Sequence, residues 1–182
     1  MRVFVTGGAR YIGSVCTELL CDRGHEVIVY DDLTHGHRSA VDPRARFFHG
    51  QPLEPGHIAA AMAQAQPEAV LHFAGDILVG ESMQHPGKYF RNNVGCSLEF
   101  LEAARLCKVR KFIFSSTAAT YGLPERLPIT EDTPQQPVNP YGEAKLMFER
   151  ILTWYHRIHG LEFVAFRYFN AAGATAQHGE DH

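Results

Sequence analysis

This chain has little excess charge of either sign. Seventeen basic and 20 acidic side chains leave a formal net charge of −3 over 182 residues. The basic residues are scattered, with no long run of like charges. That excludes a nucleic acid or an anionic membrane held by bulk electrostatics. Long apolar runs are also missing: none approaches the ~20 residues that span a bilayer. Met1-Arg2-Val3-Phe4-Val5 runs straight into a strand pattern, with no charged leader and no apolar stretch after it. A cytoplasmic protein without a signal peptide is therefore expected. Cysteine is sparse and unpatterned. Cys16, Cys21, Cys96 and Cys107 contain no pair with the gap of a metal or redox motif. They are read as small core residues in a reducing compartment. No internal repeat is visible.

What is present is an alternation. Short runs rich in Val, Ile and Phe lie at residues 3–6, 27–30, 46–49, 69–73, 112–115 and 163–167. They do not alternate with polar residues, which is the pattern of strands buried on both faces of a parallel sheet. Helical stretches at 12–23, 57–65, 88–106 and 141–159 separate them. Strand–helix alternation implies βαβ units and an α/β fold with a doubly wound parallel sheet. Residues 123–140 carry five prolines and read as an irregular loop. Residues 171–182 are small and polar, and no packing pattern is evident in them.

Two motifs carry chemistry. After the first strand stands Thr6-Gly7-Gly8-Ala9-Arg10-Tyr11-Ile12-Gly13-Ser14. A glycine-rich turn from strand to helix presents backbone N–H groups and a positive helix end to a pyrophosphate. Asp31 and Asp32 follow the second strand, where a carboxylate hydrogen-bonds the ribose of NAD and repels the 2′-phosphate of NADP. A triphosphate-binding loop fails, because Ser14 stands where its lysine is needed. The second motif is Tyr141-Gly142-Glu143-Ala144-Lys145, opening a helix after Pro140. A spacing of four places Tyr141 and Lys145 on one helix face. A nearby ammonium is expected to lower the phenol pKa and make Tyr141 a general base. Upstream, Phe114-Ser115-Ser116-Thr117 puts hydroxyls at the end of a strand. Hydroxyl, tyrosine and lysine together fit hydride transfer at a carbinol carbon.

These residues resemble an extended short-chain dehydrogenase/reductase, a family with the Rossmann fold. Several segments are similar specifically to the UDP-glucose (UDP-galactose) 4-epimerases within it. They are His72-Phe73-Ala74-Gly75 with Val79-Gly80-Glu81-Ser82, Asn92-Asn93-Val94, Ser115-Ser116-Thr117-Ala118 with Tyr121-Gly122, and Asn139-Pro140-Tyr141-Gly142. Arg167-Tyr168-Phe169-Asn170-Ala171-Ala172-Gly173-Ala174 completes the set. The resemblance implies a tightly bound NAD held by Gly7, Tyr11, Ile12, Gly13, Asp31, Asp32, Gln51, Phe73, Ala74, Asn93, Ser115, Tyr141, Lys145 and Tyr168. It implies Tyr141 as the base, Lys145 as its partner, and Thr117 on the sugar 4-hydroxyl. Asn170 would touch the phosphate of a UDP-sugar. It also implies a homodimer through the helices at 88–106 and 141–159. Residues 1–170 would be the dinucleotide domain. Residues 171–182 would begin a substrate-binding portion that the sequence does not contain.

The sequence departs from that pattern in four ways. Arg10 replaces the middle glycine of the turn, and its Cβ is expected to crowd the pyrophosphate. Gln51 replaces an aspartate at the adenine. Ile77 replaces a lysine near the cofactor. The chain also stops at His182. Slow turnover and weak NAD binding are expected from these changes. Sister dehydratases and decarboxylases need acidic groups after the active-site threonine, where this chain has Ala118-Ala119. A non-catalytic NAD-binding module is the alternative from another class; it would not need Tyr141 and Lys145. His35-Gly36-His37 and the pair His178 and His182 read as solvated loop histidines, and no metal is expected.

Overall fold

The computed structural model describes residues 1–50 and 56–180. Its centre is a sheet of six parallel strands: β1 (Arg2–Thr6), β2 (Glu26–Asp31), β3 (Arg46–His49), β4 (Ala69–His72), β5 (Lys111–Thr117) and β6 (Glu162–Tyr168). The order is β3-β2-β1-β4-β5-β6, so the direction of winding reverses between β1 and β4. Val3 pairs with Val27 on one side and with Ala69 on the other. Around the sheet lie α1 (Tyr11–Asp22), α2 (His57–Ala65), α3 (Val79–Gln84), α4 (Pro86–Phe90), α5 (Ser97–Leu106) and α6 (Pro140–His159).

Alternate residues of each strand point to opposite faces, and two cores result. Phe4, Ile28, Phe112 and Phe114 meet Met62, Phe100, Phe148 and Leu152 from the helices on one face. Val3, Val5, Val27 and Val29 pack with Ala9, Val41 and Ala45 on the other. The expectation of strands buried on both faces fails for β6. Val164 and Phe166 are 49% and 47% exposed, because β6 is the edge strand and one of its faces is open among the described residues. A short apolar run has the same composition whether or not something covers it.

The single helix expected at 88–106 is also revised. The chain is helical from Pro86 to Leu106, but a π turn at Arg91–Cys96 separates α4 from α5. The extra residue in that turn swings Asn93 inward, and it is 1% exposed. There its amide accepts from Asp76 N–H at 2.8 Å and donates to Asp76 C=O at 2.9 Å. The preceding α3 was not expected. It is one and a half turns long and contains Gly80, so local propensity is weak. Tertiary contacts hold it: Tyr89 Oη donates to Leu78 C=O and to Glu81, and Lys88 Nζ donates to Glu81 at 2.7 Å. By contrast α6 is well signalled. Asn139 caps it by accepting from Gly142 N–H, Pro140 opens it, and Gly160 closes it at φ +70°.

Residues 171–180 form no regular element but do pack, contrary to expectation. Tyr11 Oη donates to Gly173 C=O at 2.6 Å, and Thr175 and His178 both meet the Glu18 carboxylate of α1 at 2.5 Å. Four free thiols are present; Cys96 is buried and the other three are half-buried. No helix among the described residues is long and apolar enough to cross a membrane.

His72 is buried at the sheet centre among Phe100, Phe112, Phe114 and Phe148. Thr6 Oγ1 accepts from Ala74 N–H, which leaves the Thr6 proton for His72 Nδ1 at 2.7 Å. His72 Nε2 then donates to Ser97 Oγ at 2.8 Å. Burial, with a smaller push from the Lys145 charge, lowers the imidazole pKa to about 3. The folded state binds this proton more weakly than the unfolded chain does. The stability this neutral ring allows is therefore full above the ordinary histidine value and drains away as the pH falls from there towards the folded value. The expected slope is up to about 1.4 kcal/mol per pH unit. Denaturant unfolding at about pH 7.5 and about pH 5 measures it. A His72→Gln variant should be less stable at the higher pH and lose less on acidification. An unchanged slope in the variant would assign the acid sensitivity elsewhere.

Candidate functional site

The reversal between β1 and β4 opens a crevice at the carboxyl ends of the strands. On its β1 side the glycine turn has no room for side chains. Gly7 has φ +71°, and a Cβ there would meet Ala74 N at 2.7 Å. A Cβ on Gly13 would stand 2.2 Å from Gly7 O. The turn therefore lies flat against the loop after β4 and brings Ala74 to the crevice, while the Phe73 side chain packs against the valine core. Tyr11 and Ile12 open α1, where the first N–H groups have no partner within the helix. Asp31, at the end of β2, is buried. Its carboxylate accepts from Ala9 N–H at 3.0 Å and from Leu33 N–H at 2.9 Å. Those bonds fix the carboxylate, and lone pairs remain for a hydroxyl. Asp32 is exposed beside it and accepts from Thr34 N–H. Gly7, Asp31, Asp32, Ala74, Asp76 and Arg10 share a cavity of about 480 Å³.

The second half of the site is built by β5 and α6. Tyr141 and Lys145 lie one turn apart on α6. Lys145 is buried, donates to Ser115 C=O at 3.0 Å, and sits 4.9 Å over the Phe114 ring. Burial lowers its pKa to about 8, the Arg10 charge adds to that, and Asp76 opposes it. Thr117 ends β5, where its Oγ1 accepts from Ala119 N–H at 3.1 Å. The Tyr141 phenol lies above its ordinary value because burial dominates; a Thr117 hydrogen bond and the Arg10 charge pull it back. The downward pull expected from Lys145 thus comes from Thr117 and Arg10.

The structure brings Gly7, Gly13, Asp31, Ala74, Thr117, Tyr141 and Lys145 to one edge of the sheet. Other expected residues are placed differently. Asn93 spends both amide atoms on the Asp76 backbone. Ser115 meets Lys145 through its carbonyl. Tyr168 ends β6, half-buried, stacked 5.9 Å from Phe166, and Asn170 is exposed beyond it. Gln51 lies outside the described residues. Ile77 is 51% exposed. Arg10 crosses the cleft and donates to Gly75 C=O at 3.1 Å. Sequence reasoning missed Glu149. It is one further turn along the Tyr141–Lys145 face and joins three elements: Ser116 donates to it from β5, Arg167 from β6 at 2.8 Å, and Gln135 from the proline-rich loop at 3.2 Å. The continued spacing of four was the available signal. Among the described residues, no three His, Cys, Asp or Glu side chains converge as a metal site.

Residues 3–182 match the family model described as the NAD dependent epimerase/dehydratase family. The chain belongs to that family. UDP-glucose 4-epimerase from Lacticaseibacillus casei is 48% identical over all of this chain and 56% of its own length. The crystal structure of UDP-glucose 4-epimerase from Brucella ovis in complex with NAD superposes with a TM-score of 0.95. It is 46% identical, with 100% of this chain and 56% of that one covered. The enzyme from Bifidobacterium longum, solved with NAD+ and UDP, has a TM-score of 0.94 and 35% identity, with 100% and 57% coverage. The chain thus spans about half the length of the relatives it matches.

The glycine turn makes a direct prediction. Gly13→Ala forces a methyl against backbone rather than a flexible side chain, and should cost about 1–3 kcal/mol of stability. Thermal unfolding of the variant beside the parent checks this. An unchanged midpoint would mean that the turn can open to admit the methyl.

Proposed function

We propose that these residues form the NAD-binding, chemistry-bearing part of a cytoplasmic UDP-glucose 4-epimerase. Residues 1–170 act as the dinucleotide domain, and residues 171–182 lead towards the substrate-holding portion. The reading is carried by one observation: the glycine turn with Asp31 and the Thr117–Tyr141–Lys145 group face the same crevice from opposite sides of the winding reversal. A dinucleotide laid across that reversal would carry its nicotinamide end, and a sugar beside it, to the second group. The fit to NAD rests on the cradle itself, since a Cβ on Gly7 or Gly13 would fill it.

NAD held here would supply a reversible hydride acceptor for C4 of the sugar. This chain's residues do the rest. Asp31 receives the adenosine ribose hydroxyls, and the first turn of α1 faces the pyrophosphate with Gly7, Tyr11, Ile12 and Gly13. Lys145 holds the nicotinamide ribose while anchored to Ser115 C=O. Tyr141 takes the proton from the 4-hydroxyl, and Thr117 shares the hydrogen bond that positions it. Asn170 meets a phosphate of the UDP group. Ala118 and Ala119 follow Thr117 in a tight turn and offer no acid or base for eliminating water, which favours epimerase over dehydratase. Trp154, Ile158 and Leu106 are 58%, 66% and 65% exposed on α5 and α6, which supports a homodimer through those helices.

Denaturing the purified protein and quantifying released nucleotide tests the cofactor. Near one NAD per chain is expected, whether carried from the cell or taken up from excess. A chain that holds none in either case would sink the reading. Reduction of bound NAD by UDP-galactose tests the chemistry. Tyr141→Phe should keep the nucleotide and slow its reduction by about 10²–10⁴-fold; equal rates in parent and variant would remove Tyr141 from the mechanism.

A further inference from the structure

Arg10 is the N-cap residue of α1, with φ −115° and ψ 172°. This is ordinary extended backbone, so the arginine introduces no strain where the resembled pattern has glycine. Its side chain leaves the turn and crosses the crevice to Gly75 C=O. Gly75 is itself packed against the catalytic side, since a Cβ there would lie 3.4 Å from Lys145 Nζ. The guanidinium therefore stands between the α1 N-terminus and the Tyr141–Lys145 pair. Its charge is felt at both residues and lowers the pKa of each.

We propose that Arg10 is a second phosphate-binding group of the dinucleotide site, releasing the Gly75 carbonyl to pair with the pyrophosphate. The inference rests on the NAD reading above and adds a residue to it. A dinucleotide that joins Asp31 to Lys145 must carry its pyrophosphate past this side chain. Arg10 is half-buried, and its guanidinium bonds a neutral carbonyl; no carboxylate among the described residues lies within ion-pair reach of it. Asp76, in the same cavity, keeps one oxygen without a hydrogen-bond partner but directs the other towards His35 and Lys88, at 3.8 Å each. A guanidinium has five N–H donors in a fixed fork. Exchanging one carbonyl for two anionic oxygens makes a stronger, bidentate contact. An anion between Arg10 and Lys145 also relieves the repulsion between those two cations.

The test is NAD affinity across a range of salt concentrations for the parent, Arg10→Gln, Arg10→Lys and Arg10→Gly, with thermal unfolding of each nucleotide-free protein as the folding control. Loss of one charge-assisted contact should weaken binding by about tenfold or more in Arg10→Gln, and its affinity should depend less on salt. Arg10→Lys should fall between the two, because it keeps the charge and loses the fork. Tighter binding by a folded Arg10→Gly would show that Arg10 obstructs the cleft, and equal affinity in all four would make it a spectator. Either result overturns the proposal while leaving the NAD reading intact. A parent that takes up no NAD overturns both.

Discussion

Everything in this molecule depends on the parallel pairing of its six strands. Parallel strands all end at the same edge, so whatever follows each strand is delivered to one side of the sheet. The reversal between β1 and β4 then parts the loops that follow those strands. A crevice opens there because the backbone connections leave in opposite directions. The glycine turn, Asp31, Thr117 and the start of α6 converge on it from four separate parts of the chain. No local interaction could assemble them.

The sheet is fastened beneath that crevice by a polar pin in an apolar core. Thr6, His72 and Ser97 join β1, β4 and α5 through a neutral imidazole enclosed by phenylalanines. Each polar atom of that pin has a partner, so its burial is tolerated. The same logic operates where α6 meets β5 and β6. Lys145 is a buried cation that bonds a strand carbonyl, and Glu149 is a buried carboxylate bonded by Arg167 and Ser116. Tyr141, Lys145 and Glu149 form one stripe of α6. The stripe's inner end clamps β5 and β6, and its outer end is left facing the crevice. Rigid attachment of the helix to the sheet is what holds the phenol near Thr117.

Burial sets the proton affinities here more strongly than pairing does. It raises the phenol and lowers the amine, which works against a phenolate–ammonium pair. The cation that counteracts it at Tyr141 comes from Arg10, on the far side of the crevice. A residue that reads from sequence as damage to the glycine turn is therefore coupled electrostatically to the Tyr141–Lys145 pair.

Much of this was legible in the residues themselves. Doubly buried strands need Val, Ile and Phe without alternation. A flat turn needs glycine where Cβ would strike backbone. A helix that starts on cue needs Asn139, Pro140 and a glycine stop. Those requirements are local, so the strands, the turn and the Tyr141–Lys145 face could be placed from sequence. What remained hidden depended on distant partners. The π turn that turns Asn93 inward follows from its bonds to Asp76. The short α3 survives on Tyr89 and Lys88. The open face of β6 reflects what does not cover it. The direction of the Arg10 side chain is decided by a carbonyl 65 residues away. Sequence determined the fold class and the chemistry on offer, because both follow from side-chain shape and spacing. Only the tertiary structure decided which groups meet, how deeply each is buried, and hence where its proton sits.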